Sequence, residues 1–249
     1  MSGGDPSFVT VFIAALITDL ATGLGALPLL SPRLSTRGAL GVANAAAAGV
    51  MLGASVSLAG QGLDRSAWST GAGILLGAVF IVISSRLLHG YNHELRIGSL
   101  RGDDAIKGLL IVGVMTVHSV AEGVGVGAAF GGSETLGILI AIAIAVHNIP
   151  EGLAISLVLV PRGASVPAAA GWSVFSSMPQ PLLAVPAFLF VDAFQGVLPV
   201  ALGFAGGAMI WMVARELLPE AFEQAPRRTV IVTACVSFAA MAAFQAILL

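Results

Sequence analysis

Two stretches of the chain repeat one pattern of residues that could bind a metal ion. Both read H-x-x-x-E-G, as HSVAEG at 118–123 and as HNIPEG at 147–152. In a helix, residues four apart lie on one face, so each histidine would stand one turn from its own glutamate. Imidazole and carboxylate together suit Zn²⁺ and its neighbours, whereas Mg²⁺ prefers ligands that are all oxygen. The pattern therefore predicts a site for a divalent transition metal.

The composition places these residues in a membrane. Of the 249 residues, 57% are hydrophobic and only 10% are charged, whereas a soluble domain carries roughly 25% charged residues. Such a chain cannot cover a surface that faces water, and its apolar residues come in long runs. Ionisable residues inside a membrane are energetically unfavourable and usually functional. The net charge of −2 gives no indication of a nucleic-acid partner.

Eight apolar stretches are long enough to span a bilayer, which needs about 20 residues per helix. They predict an all-α integral membrane protein in which residues 1–249 form a single eight-helix domain. The sixth span is the hardest to delimit, because Pro179, Pro181 and Pro186 interrupt it before Asp192. The predicted spans are approximately Phe8–Leu30, Leu40–Gly60, Gly71–Leu88, Ala105–Phe130, Thr135–Val160, Val166–Val191, Phe194–Leu218 and Thr229–Leu248.

The basic residues indicate an orientation. With eight spans, four loops share one side of the membrane, and ten of the eleven Lys and Arg residues lie in or beside these loops. Only Arg65 falls on the other side. Because basic loops remain in the cytoplasm, we expect both termini to be extracytoplasmic. We place the protein in the plasma membrane, with the lipid bilayer as its surroundings.

The two histidines are predicted to lie at the same depth. His118 is thirteen residues into the fourth span, and His147 is twelve residues into the fifth. At 1.5 Å per residue, both lie roughly 18–20 Å from the faces where their spans begin, near mid-membrane. Asn148, three residues before Glu151, shares the face of that glutamate. A lone buried histidine is often only a packing residue, but two such faces at one depth favour a functional site.

Four other residues within the spans could bind a metal ion or could simply pack between helices. Glu216, near the basic end of the seventh span, could pair with Arg215 at the membrane surface or act as a second carboxylate on an exit route. Asp19 and Asn44 have no motif around them, and we interpret both as helix-packing residues. Met51 offers a thioether that could reach a metal, although methionine within a span usually only packs.

These motifs resemble the ZIP family of metal transporters. The resemblance covers most of the chain: GALP at 25–28, AGVML at 48–52, both H-x-x-x-E-G helices, and GAM and ELLPE within 207–220. The paired histidine helices are its most specific element. The resemblance implies an inner bundle of spans two, four, five and seven around a metal path. It also implies a homodimer.

The resemblance further implies two metal positions at mid-membrane. The first would be formed by His118, Glu122, His147 and Glu151, with Met51 completing it. The second would be formed by Asn148 and Glu151, with Glu216 beside it and Glu151 bridging the two ions. The family often has asparagine after the histidine of the fourth span. Here the residue is Ser119, a weaker and neutral ligand, which puts the second position in doubt.

The predicted function is transport of a divalent metal into the cytoplasm by alternating access. Zinc is the first candidate, and iron, manganese and cadmium share these ligand types. The ion is the substrate, and no cofactor is expected. One alternative is an intramembrane metallohydrolase, in which zinc activates water, but the H-E-x-x-H motif of such enzymes is absent. Another is a proton or ion channel that uses the same polar residues, binds no zinc and survives loss of either histidine.

Overall fold

The structure is a computed structural model that describes residues 6–31, 36–89 and 103–248. Helices account for nearly all of these residues, and this part of the chain contains no strand. Several of the basic residues used to predict the orientation, such as Arg33, Arg96 and Arg101, lie outside the described residues.

Ten α-helices follow one another along the described chain. Short 3₁₀ turns at Leu27–Leu30, Val160–Arg162 and Gln195–Val197 connect some of them. The helices are α1 (Phe8–Leu24), α2 (Arg37–Leu63), α3 (Ala67–His89), α4 (Asp103–Gly132), α5 (Glu134–Leu159), α6 (Val166–Ser177), α7 (Pro179–Ala193), α8 (Leu198–Met212), α9 (Leu218–Gln224) and α10 (Arg227–Leu248).

Eight segments of the described chain are long and apolar enough to cross a membrane, which confirms the predicted number of spans. The sixth span consists of two helices, because α6 ends at Ser177 and α7 begins at Pro179. The seventh span runs from Gln195 to Gln224, six residues beyond its predicted end. It continues because a wide π-helical turn, Val213–Leu217, joins α8 to α9 just before Pro219, whose missing N–H would interrupt a regular helix.

Four of the spans form the interior of the bundle. In spans two, four, five and seven, between 56% and 67% of the residues in the most apolar window are buried. In the other four spans the corresponding share is between 17% and 39%. The more buried spans are those that the resemblance places around the metal path, and the expected inner bundle is confirmed.

The helices pack as two groups. We call α1, α4, α5, α6 and α7 the polar half, and α2, α3, α8, α9 and α10 the apolar half. The closest packing within the apolar half joins α3 to α8 and α2 to α10, and within the polar half it joins α4 to α7 and α1 to α5. The two halves meet mainly where α2 lies against α5 and α4 lies against α8.

A single residue separates the two helices that carry the histidines. The hydroxyl of Ser133 accepts a hydrogen bond from the N–H of Leu136 at 3.1 Å and caps the start of α5. With so short a connection, α4 and α5 must run antiparallel beside each other. His118 lies fifteen residues before Ser133 and His147 lies fourteen residues after it, so the connection brings the two histidines to the same level.

Candidate metal centre

The two H-x-x-x-E-G units meet at the carboxylate of Glu122. Nε2 of His147, on α5, lies 2.5 Å from Oε1 of Glu122, on α4. Nε2 of His118 lies 3.1 Å from the same oxygen, but without hydrogen-bond geometry. Both imidazoles therefore face one carboxylate oxygen, and the structure brings the two units together at one level of the bundle.

Glu151 completes a compact cluster of ligand atoms. One ligand atom from each of His118, Glu122 and Glu151 can be chosen so that all three lie within 4.8 Å of one another, and all three side chains are fully buried. Neither carboxylate oxygen of Glu151 has a hydrogen-bond partner among the described residues. Buried carboxylate oxygens without partners are energetically costly. A divalent cation held between these three residues and His147 would satisfy them.

A residue that the sequence analysis did not single out holds the other side of Glu122. Gln180, at the start of α7, donates a hydrogen bond from Nε2 to Oε2 of Glu122 at 2.6 Å. Its Oε1 lies 2.5 Å from the hydroxyl of Thr18, on α1, and accepts a hydrogen bond from Asn148 Nδ2 at 3.1 Å. The signal in the sequence was a lone glutamine between Pro179 and Pro181 within an apolar span.

Asn148 and Ser119, the two residues that follow the histidines, have different roles in the packing. Asn148 Nδ2 donates to the main-chain oxygen of Thr18 at 2.7 Å, and its buried Oδ1 has no partner among the described residues. The Ser119 hydroxyl donates to the main-chain oxygen of Met115 on its own helix, at 3.0 Å. Asn148 therefore keeps an amide oxygen with no hydrogen-bond partner among the described residues, whereas the Ser119 hydroxyl has its proton engaged by its own helix.

The glycine that ends each unit lets another helix approach the site. A Cβ on Gly123 would lie 2.9 Å from Cα of Gln180 and 2.8 Å from its main-chain oxygen. A Cβ on Gly152 would overlap the main-chain oxygen of Thr22, on α1. Contacts this close exclude any side chain at the two positions. The glycines therefore let α7 and α1 pack closely against the helices that carry the ligands.

The two remaining predicted site residues, Met51 and Glu216, come from the other side of the bundle. Met51 is on α2 and Glu216 is in the turn that joins α8 to α9, which we count with the apolar half. Met51 is fully buried in the central apolar cluster of the bundle. Glu216 lies in the π-helical turn, and its Oε1 accepts a hydrogen bond from the hydroxyl of Ser85, on α3, at 3.0 Å. It is not part of the three-residue cluster described above.

A cavity of about 620 Å³ opens beside Glu216. It lies at the end of the bundle where Arg86 and Arg215 lie, and one of its walls is Val114, one helical turn before His118 on α4. The cavity thus extends from the surface to within about one turn of the ligand cluster. Its polar lining consists of Ser85, Arg86, Arg215, Glu216, Glu220, Glu223 and Gln224.

The two polar residues interpreted as packing residues, Asp19 and Asn44, are not part of the three-residue ligand cluster. Asp19 is buried on α1, and its Oδ1 has no hydrogen-bond partner among the described residues. Asn44 Nδ2, on α2, donates a long hydrogen bond of 3.4 Å to Oε1 of Gln224.

Comparison with known proteins gives consistent matches. A family model described as ZIP zinc transporter matches residues 102–245. The chain is 34% identical over 223 residues to the zinc transporter GufA of Myxococcus xanthus, covering 84% of this chain and 87% of that protein. It is 29% identical over an alignment of 252 positions to the zinc transporter ZupT of Corynebacterium glutamicum, covering 93% and 96%.

A plant protein is more similar in sequence but much longer. The chain is 46% identical over 243 residues to At3g08650 of Arabidopsis thaliana. The match covers 96% of this chain and 39% of the plant protein. The chain therefore spans about two fifths of the length of that relative.

Proposed function

The chain belongs to the ZIP zinc transporter family, and from this membership and the geometry of the metal centre we propose that it carries zinc across the membrane into the cytoplasm. Iron, manganese and cadmium are the alternative substrates, because they share the same ligand types. The ZIP family consists of transporters rather than enzymes, so the metallohydrolase alternative is not favoured.

The observation that carries the proposal is the buried cluster of His118, Glu122 and Glu151. Three ligand atoms within 4.8 Å of one another match the space around a single zinc ion, whose bonds to nitrogen and oxygen are about 2.0–2.2 Å. His147 joins the cluster through Glu122. In this proposal these four residues bind the ion at mid-membrane, and Met51 approaches from the facing helix α2.

The cavity beside Glu216 is the proposed exit route. Its acidic residues, Glu216, Glu220 and Glu223, would attract a divalent cation that leaves the site. We place this end in the cytoplasm because the basic loops lie there, which leaves both termini outside. In an alternating-access cycle, this conformation is the one open toward the cytoplasm. Of the two roles expected of Glu216, the proposal retains the exit route.

The remaining parts of the proposal concern the assembly. The chain functions as one eight-helix domain in the plasma membrane, with a metal ion as substrate and the bilayer as its surroundings. A homodimer is the oligomeric state that the family resemblance implies, and the mass of the detergent-solubilised protein tests it.

Uptake of ⁶⁵Zn²⁺ into proteoliposomes tests the proposed function. We expect saturable uptake by the natural protein and its loss in Glu151→Gln, which keeps the shape of the side chain but removes the charge that faces the ion. Glu134→Gln is the matched control, because Glu134 lies in the first turn of the same helix, α5, and should transport normally. Competition by Fe²⁺, Mn²⁺ and Cd²⁺ ranks the metals.

Two results would contradict the proposal. The first is an absence of uptake by well-folded natural protein. The second is uptake that Glu151→Gln leaves unchanged, and this result together with a proton or sodium current that persists without either histidine would favour the channel alternative.

A further inference from the structure

We propose that Gln180 is a positioning residue that limits the metal centre to one ion at a time. The inference rests on the proposed function and concerns the same site. It begins from the two oxygens of Glu122, which have different partners. Oε1 faces His118 and His147, whereas Oε2 accepts the hydrogen bond from Gln180.

The orientation of the Gln180 amide follows from its neighbours. The main-chain oxygen of Thr18 can only accept, so the Asn148 atom that faces it at 2.7 Å must be the nitrogen Nδ2. The same Nδ2 lies 3.1 Å from Gln180, whose facing atom must therefore be the oxygen Oε1. This leaves the Gln180 nitrogen to face Oε2 of Glu122. A single carbonyl thus orients both amides.

This orientation has a consequence for metal binding. The N–H groups of Gln180 carry partial positive charge and have no lone pair, so they cannot bind a cation. An ion that approached Oε2 of Glu122 would meet these hydrogens. Oε2 keeps a lone pair, but the Gln180 hydrogens beside it repel a cation. Oε1, on the side of His118 and Glu151, is therefore the favoured ligand oxygen of Glu122, and it serves one ion.

A second ion would lack ligands in this arrangement. Asn148 Oδ1 and the oxygens of Glu151 have no hydrogen-bond partners among the described residues, but a second ion beside them would need another carboxylate oxygen to share its charge. One candidate, Oε2 of Glu122, accepts the hydrogen bond from Gln180, whose hydrogens repel a cation. The Ser119 hydroxyl donates to its own helix and adds no charge. One ion at a time is what these residues can hold.

The packing of α7 keeps Gln180 in place. The residue is fully buried, and it follows the break between α6 and α7 at Met178. Its main chain lies against Gly123, the residue after Glu122, where no side chain fits. The main chain of Gln180 therefore stays beside Glu122 unless α7 moves away from α4.

The number of site-bound ions tests the inference. Purified protein would be dialysed to equilibrium against zinc, and bound zinc per protomer would be counted by mass spectrometry. Ions retained by Glu151→Gln would be subtracted, so that zinc bound elsewhere does not count. We expect one site-bound ion for the natural protein and two for Gln180→Glu, in which a carboxylate replaces the N–H donors.

Gln245→Glu is the matched control. Gln245 is also buried, but it lies on α10 in the apolar half. The control therefore adds the same negative charge away from the metal centre, and this variant should still bind one ion. Two site-bound ions in the natural protein, or one in well-folded Gln180→Glu, would overturn the inference. Neither result affects the proposed function, which fails only if the natural protein shows no uptake that depends on Glu151.

If Gln180→Glu does not fold, a second variant tests whether Gln180 orients Glu122 for metal binding. Gln180→Met keeps the length of the side chain but removes both N–H donors, so Glu122 loses its orientation. We expect zinc affinity to fall about 10-fold or more, as it does when a partner that orients a ligand is removed. Unchanged affinity in folded Gln180→Met would overturn the inference.

Discussion

The polar half and the apolar half differ in what they bury between their helices. Of the 18 buried polar or charged side chains in the described chain, 14 belong to the polar half. The apolar half contributes the remaining four, which are Asn44, Ser55, Thr70 and Gln245. Each half contributes four of the eight candidate spans of the described chain, so the difference does not come from the number of spans.

The difference shows two ways of holding helices together in lipid. Burial of apolar surface does not drive association there, so helices pack through small residues and close main-chain contact. In the apolar half, Gly73 and Gly77 of α3 lie directly against the main chain of α8, and Gly207 of α8 lies against Ile74. The polar half uses such contacts too, but it adds hydrogen bonds and unpaired acceptors that packing alone does not require. These unpaired acceptors indicate that the polar half has a function beyond packing.

The largest expected effect is loss of a ligand from the polar half. His118→Ala removes one of the three clustered ligands, and zinc affinity should fall about 100-fold or more, beyond what removal of a partner that orients a ligand costs. Thr116→Val, a half-buried residue on the same helix whose hydroxyl bonds to the main chain of Val112, should bind zinc normally. Equilibrium binding of zinc in detergent measures both. If His118→Ala and Thr116→Val bound zinc equally well, the polar half would have no metal-binding role to distinguish it from the apolar half.

A large change in the apolar half should affect stability alone. A Cβ on Gly77 would overlap the main-chain oxygen of Phe204 and lie 2.8 Å from the nitrogen of Ala208. We expect Gly77→Val to destabilise the fold by about 1–3 kcal/mol, as overpacking does, and to leave zinc affinity unchanged once the protein is folded. Gly71→Val, on the same helix but with open space around it, is the control. Thermal unfolding in detergent distinguishes them, and a normal melting temperature for Gly77→Val would argue against the tight α3–α8 contact.

Glu216 is the exception within the apolar half, and it sharpens the comparison. If it serves only the exit route, Glu216→Gln should slow ⁶⁵Zn²⁺ uptake several-fold while equilibrium zinc affinity stays the same. Ser85→Ala, which removes the hydroxyl that donates to Glu216, should have a smaller effect in the same direction. A loss of affinity in Glu216→Gln as large as that in His118→Ala would instead make Glu216 a ligand of the mid-membrane site.

The smallest expected effect lies within the polar half, away from the ligands. The hydroxyls of Thr22 and Ser177 are 2.8 Å apart and join α1 to α6. Thr22→Val removes this bond, and hydrogen bonds between helices in membranes contribute on average about 0.6 kcal/mol. The melting temperature should fall slightly, and zinc affinity should not change. A large loss of affinity would extend the functional network to this pair.

The sequence predicted the spans and the pairing of the two histidine units, because both follow from local composition and helical periodicity. The prolines indicated that the sixth span is interrupted but did not show that the break falls at Met178–Pro179. The continuation of the seventh span through the π-helical turn depends on packing and was not predicted. Gln180 was missed for a similar reason. Its contact with Glu122 joins two helices 58 residues apart in the chain, and nothing in the local sequence shows which helix lies opposite.

The central claim is that His118, Glu122 and Glu151, in the polar half, hold the transported ion. A crystal of the protein soaked in zinc and measured at the zinc absorption edge tests this directly, because the anomalous difference map locates each ion. We expect one peak within bonding distance of these three residues. A map with no peak at the cluster, and with zinc only in the cavity beside Glu216 or elsewhere on the protein, would contradict this assignment.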